Sequence, residues 1–119
     1  MKKIITLAAV FGLTAAISAF ADDATNNATA DSTTTNNWTA DCAKCHGDDG
    51  KGQTKMGQRL KVRDYTDAKV QSSFKDDEAF DVIKKGLKDS DGKTQMKAYD
   101  ALPDDQIKAL VAYVRAFKK

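Results

Sequence analysis

Cys42-Ala43-Lys44-Cys45-His46 contains both cysteines and the only histidine of this 119-residue chain. The pattern Cys-x-x-Cys-His is the attachment signature of c-type haem. Two residues between the thiols place both sulfurs on one side of a turn, spaced to add across the two vinyl groups of one porphyrin. The histidine that follows is held under the macrocycle with an imidazole nitrogen aimed at iron. Covalent attachment through Cys42 and Cys45 and proximal ligation by His46 are therefore expected from one short stretch.

Other chemistries fit this stretch poorly. A structural zinc site needs four ligands, usually as two Cys/His pairs, and the chain has no second pair. A redox dithiol of the thioredoxin kind sits at a strand-to-helix junction, and no convincing strand run is present. A disulfide across two intervening residues would be strained and would leave His46 without a role.

Towards the N-terminus, Met1-Lys2-Lys3 is a positive start and residues 4–20 form an uncharged, largely apolar run. Ala19-Phe20-Ala21 fits a small-x-small cleavage pattern, with Asp22-Asp23 just beyond. This reads as a bacterial secretory signal over residues 1–21, cleaved near Ala21. The run falls short of the roughly 20 residues of a comfortable membrane span, so membrane contact is expected only if it is retained. Export places the protein in the periplasm, on the side of the membrane where c-type haem is attached.

Residues 22–36 are almost all Asp, Ala, Thr, Asn and Ser, with no large apolar side chain to offset ordering entropy, and read as a flexible leader. One domain is expected over residues 37–119. Cleavage would remove two lysines and no acid, which balances the remaining charge. The segment before Cys42 carries Asp22, Asp23, Asp31 and Asp41 without a base, so the haem-bearing part is net positive. Nothing resembles the dense basic patch with aromatics of a nucleic-acid binder.

The domain reads as helical. Asn36 or Asn37 is expected to cap a helix running through Trp38 to the haem cysteines. Gly47, Gly50 and Gly52 make the next stretch a loop, which also holds Met56. A short helix is expected near residues 67–72. A longer one opens at Asp76 or Asp77, with Phe80, Ile83 and Leu87 on one face and Gly86 at its stop. Residues 88–101 read as loop, turning at Ser90-Asp91-Gly92. Pro103, Asp104 and Asp105 suit the start of a last helix, whose stripe is Ile107, Leu110, Val111, Val114 and Phe117.

Iron needs a sixth ligand, and no second histidine exists. Met56, Met96, a lysine or an open position are the candidates. Met96 lies in the loop between the last two helices, with enough chain to wrap to the far side of the haem. Met56 lies close to His46, on the proximal side, and reads as packing. Met96 is the expected axial ligand.

From Trp38 to its end the chain resembles a small bacterial class I c-type cytochrome with one haem. The resemblance rests on the Cys42–His46 motif, Gly47-Asp48-Asp49-Gly50-Lys51-Gly52, Met96, and a terminal helix ending Leu110-Val111-Ala112-Tyr113-Val114-Arg115. It implies an all-α cytochrome c fold, three to five short helices wrapped around one covalently attached haem c. It also implies that Tyr113 packs against Trp38, and that Arg59, Arg63 and Tyr65 contact the propionates. Where the family often has Gly-Pro in its proximal loop, this chain has Gly57-Gln58. The Gln58 carbonyl is then expected to accept the hydrogen bond from His46.

Iron with protein ligands on both faces has no position for substrate, so the expected function is one-electron carriage and not enzymatic turnover. The expected partners are an electron donor and a terminal oxidase or reductase. They would meet a monomer at its exposed haem edge, ringed by Lys44, Lys55, Lys61, Arg63, Lys93 and Lys97. Two other readings remain: a five-coordinate haem sensor or peroxidase-like protein, and the cytochrome subunit of a larger oxidoreductase.

Overall fold

The computed structural model describes residues 31–119. The signal segment expected over residues 1–21 and residues 22–30 of the leader lie outside the described residues. Three helical pieces lead into the haem motif without a break: α1 (Ser32–Asn37), a π-helical turn (Trp38–Cys42) and α2 (Ala43–His46). The helix thus starts at Ser32, and not at a cap on Asn36 or Asn37 as the sequence suggested. Residues 32–36 are helical where a leader was expected, and the reason is tertiary. Thr34 is buried, and Asn37 Nδ2 donates to Gln106 Oε1 of the last helix at 3.0 Å. Packing against another helix supplies what these polar residues lack on their own.

α3 (Lys55–Leu60) replaces part of the expected loop. Its signal is Thr54, whose hydroxyl accepts from the Gly57 N–H at 2.9 Å as an N-cap. α4 (Ala68–Ser72) follows the Asp67 carboxylate, which accepts from Lys69 N–H at 2.7 Å. α5 (Asp76–Lys85) carries Asp76, Asp77 and Glu78 in its first turn and Lys84 and Lys85 in its last, matching the helix dipole. It stops at Gly86, where φ is 78°. A Cβ there would come within 2.7 Å of the Met96 carbonyl oxygen, so two reasons require glycine.

Leu87, expected on the apolar face of α5, instead opens a hairpin and is 48% exposed. β1 (Leu87–Lys88) pairs antiparallel with β2 (Thr94–Met96), Leu87 opposite Met96. Residues read as loop therefore include a small ladder. Its organiser is Asp89: Oδ1 accepts from the N–H groups of Asp91 (3.0 Å) and Lys93 (2.9 Å), and Oδ2 from Gln95 Nε2 (2.7 Å). No local alternation of apolar and polar residues announces strands this short.

α6 (Asp104–Ala116) buries Ile107, Leu110, Val111 and Val114, as its periodicity predicted. Phe117 lies just past its end, 5.1 Å from the Trp38 ring. Trp38, Leu110 and Val114 form the core cluster. Arg115 stitches α6 to the middle of the chain. Its guanidinium donates to Asp76 Oδ1 (2.7 Å), Phe74 O (2.9 Å), Gln71 Oε1 (3.0 Å) and Gln71 O, and it lies 4.2 Å from the centre of the Phe74 ring. Buried Gln71 passes the link on, donating to Tyr65 O at 2.7 Å and Val114 O at 2.8 Å. Among the described residues no helix is long and apolar enough to cross a membrane.

Candidate functional site

Cys42 closes the π-helical turn, and Cys45 and His46 end α2. All three are half-buried, and the thiols are free. The turn is clamped by its near neighbours. His46 O accepts from Gly52 N–H and Gly47 N–H donates to Ala43 O, both at 2.8 Å. Trp38 Nε1 donates to Gly47 O at 3.1 Å. The Thr54 hydroxyl lies 2.9 Å from Lys44 O and 3.0 Å from Cys45 O. Carbonyls that a helix end leaves without partners are thereby satisfied. Gly57 packs so closely that a Cβ would collide with the carbonyl oxygens of Cys45 and Gly52.

The His46 ring stacks on Tyr65, centroids 5.2 Å apart with 16° between planes, and tilts against Trp38 at 5.7 Å. Burial pushes its pKa down to about 4, so the imidazole is neutral near pH 7 and keeps the lone pair a metal needs. Its Nδ1 is buried without a hydrogen-bond partner. The Gln58 carbonyl, expected to meet it, instead accepts the Lys61 N–H at 3.2 Å. The left-handed turn at Lys61 that ends α3 draws that carbonyl into its own cap.

Burial, then the Asp41 carboxylate, push the Cys42 thiol up to about 11. Such a thiol stays protonated, unlike the low-pKa thiolate of a redox dithiol. No group of three or more Cys, His, Asp or Glu side chains suited to a metal ion converges among the described residues, which leaves a zinc centre short of ligands.

Met96 ends β2 and is half-buried. The residues after it tie its strand to the helix that bears the thiols. Tyr99 Oη donates to Asp41 O at 2.8 Å, and Lys97 Nζ lies 3.5 Å from Asp41 Oδ1. The fold thus brings the Met96 segment to the residue before Cys42. Burial, with Cys42 and Asp41 adding to it, holds the Tyr99 phenol above its ordinary range, so it remains a donor. Met56 sits on α3 rather than in a loop, lining a groove with Lys44, Lys55 and Arg59. Sequence reasoning missed Thr54, Gly57 and Tyr99. The cap at Thr54 had a local signal, whereas Gly57 acts through its close approach to the Cys45 and Gly52 carbonyls and Tyr99 through a backbone group far away in sequence.

Half-buried Tyr65, Phe74, Ile83 and Leu102 pack on the core cluster beside Cys42 and Ala43. An apolar wall, two free thiols and an adjacent neutral imidazole fit a flat, apolar, iron-bearing macrocycle. The comparisons agree. Residues 29–114 match the family described as cytochrome c oxidase, cbb3-type, subunit III. The chain belongs to this family of c-type cytochromes. A solved structure of KustC0563 c-type cytochrome is 31% identical, covering 72% of this chain and 98% of its own, with a TM-score of 0.62. The structure of a tyrosine-to-phenylalanine mutant of Kustc0563 is 30% identical, covering 72% and 99%, with a TM-score of 0.60. No curated protein matches the chain.

The mostly helical architecture, with little strand, is accordingly a cytochrome c fold. The run over residues 32–46 and α3–α6 give it five helical units among the described residues. Its Tyr113 rests on Trp38 with ring centroids 5.3 Å apart, as the family resemblance implied. The cofactor of this family is covalently bound haem c, and Cys42 and Cys45 have the spacing for it.

Proposed function

We propose that this cytochrome is a one-electron carrier, not an enzyme, with haem c held by thioethers to Cys42 and Cys45 and its iron ligated by His46 and Met96. The observation that carries this reading is the pairing of segments around Asp41. A half-buried neutral imidazole follows the two thiols, and the strand bearing Met96 is tethered to the residue before them. When bound, the haem supplies an Fe(II)/Fe(III) couple. The Met96 thioether and the apolar wall favour the less charged, reduced state and so a fairly high potential. Ligands on both faces, unchanged between states, leave no site for substrate and keep reorganisation small.

Export to the periplasm after cleavage near Ala21 suits this chemistry. The partners are redox proteins, a donor and a terminal oxidase or reductase. Lys44, Lys55, Lys61, Arg63, Lys93 and Lys97 are exposed. Of these only Lys97 makes an ion pair among the described residues, which leaves five cations for steering an acidic partner.

Absorption spectra of the oxidised and reduced holoprotein, with and without carbon monoxide, test the ligation. The expected result is a low-spin spectrum with the weak red band of sulfur ligation, largely indifferent to brief exposure to carbon monoxide. A high-spin spectrum that shifts at once would mean an open iron, and a sensor or peroxidase-like role. A second reading, the cytochrome subunit of a larger oxidoreductase, is favoured by the description of the matching family as a subunit. Co-purification of the native protein with a large partner through a sizing column would select it over the free carrier.

A further inference from the structure

Met96 sits at the end of a short hairpin that buries no side chain fully, so its position depends on tethers outside the ladder. Tyr99 is fixed at two points. Its backbone N–H donates to Ile83 O of α5 at 2.9 Å, and its hydroxyl crosses to the Asp41 carbonyl at 2.8 Å, between residues 58 apart in sequence. Lys97 adds a weaker tie, with Nζ 3.5 Å from Asp41 Oδ1 and 4.6 Å from the centre of the Tyr99 ring. Asp41 belongs to the π-helical turn that ends at Cys42. Such turns inside α-helices are concentrated at functional positions.

We propose that Tyr99 is a positioning residue: the bond from its hydroxyl to the Asp41 carbonyl holds the Met96 strand against the haem-bearing turn and sets how readily the Met96 thioether leaves iron. This rests on the reading of Met96 as axial ligand. Tyr99→Phe keeps the ring and its contact with Lys97 and deletes only the hydroxyl. One hydrogen bond of ordinary net worth corresponds to about a three- to tenfold change in an equilibrium or rate. The Lys97 pair is exposed, so Lys97→Gln is expected to change the same quantity by about twofold or less.

The test uses holoprotein of the parent, Tyr99→Phe, Lys97→Gln, Met96→Ala and Arg115→Lys. It reads the rate at which excess carbon monoxide binds the reduced protein, which requires Met96 to depart, and the red sulfur band of the oxidised protein. Tyr99→Phe is expected to speed carbon monoxide binding about three- to tenfold while keeping the band. Arg115→Lys, which weakens the fold elsewhere, should leave the rate unchanged. If Met96→Ala removes the band but Tyr99→Phe binds carbon monoxide at the parent rate, the latch is refuted and Met96 stands as ligand. Should Tyr99→Phe yield no holoprotein, the rate is read in Tyr99→Leu, which also lacks the hydroxyl, and a value equal to the parent's refutes the latch. If Arg115→Lys accelerates binding as much as Tyr99→Phe, general loosening is the cause and the proposal falls. If Met96→Ala leaves the parent spectrum intact, the ligand reading fails and takes the latch with it.

Discussion

His46 is fixed by neighbours, Met96 by strangers. Around His46 the backbone contacts come from Trp38, Gly52, Thr54 and Gly57, all close to it in sequence, and the Tyr65 ring stacks on the imidazole. Around Met96 the ladder has only two paired positions, and Leu87 across it is largely exposed. The ties that locate it reach back to Asp41. The proximal segment is therefore held largely by backbone bonds within its own stretch of chain. The distal one is located by a few side-chain ties to a turn far away in sequence.

Replacing His46 by Ala should break the comparison most completely. It removes the imidazole at the centre of the clamp, and the low-spin spectrum of the purified protein is expected to be lost outright. Gly57→Ala comes next. Its Cβ collides with two backbone carbonyls, and overpacking of that kind costs about 3 kcal/mol, read as a lower denaturant midpoint. The matching change in the distal segment, Gly86→Ala, meets the Met96 carbonyl and a positive φ. It is expected to weaken the red sulfur band more than it lowers the midpoint, the reverse of the pattern for Gly57→Ala.

Arg115→Lys touches neither ligand segment and sharpens the contrast from outside. Lysine loses the planar fork that reaches Asp76, Gln71 and Phe74 together. A stability loss of about 2 kcal/mol is expected in denaturant titration, with the spectrum unchanged. The smallest effect is one of pH. The Lys93 N–H, then Gln95 and the Asp91 N–H, hold the Asp89 carboxyl below its ordinary range. Its support of the hairpin is present above the unfolded carboxylate pKa and is lost as pH falls through the lowered folded value. The sulfur band of the parent should fade first below the usual carboxylate range, and Asp89→Asn should remove that acid step.

Much of the fold was legible because its signals are local. The stripe from Ile107 to Val114, the short helix near residues 67–72 and the stop at Gly86 each depend on residues within one or two turns. The start of α1 was misread because α1 packs against α6, to which Asn37 is hydrogen-bonded, and nothing among its own neighbours records that contact. The hairpin was missed because a two-residue strand has no period to read. The Gln58 carbonyl was misassigned because the left-handed turn at Lys61 turns it to a different donor.

The attachment motif and its adjacent imidazole were determined by sequence alone, since a fixed spacing on one helical turn sets where two sulfurs and one ring nitrogen point. Burial of that imidazole and the path by which Met96 reaches the haem-bearing helix were decided only by tertiary structure. A hydrogen bond from Tyr99 to Asp41 depends on the folding of every element between them, and no pattern of neighbouring residues records it.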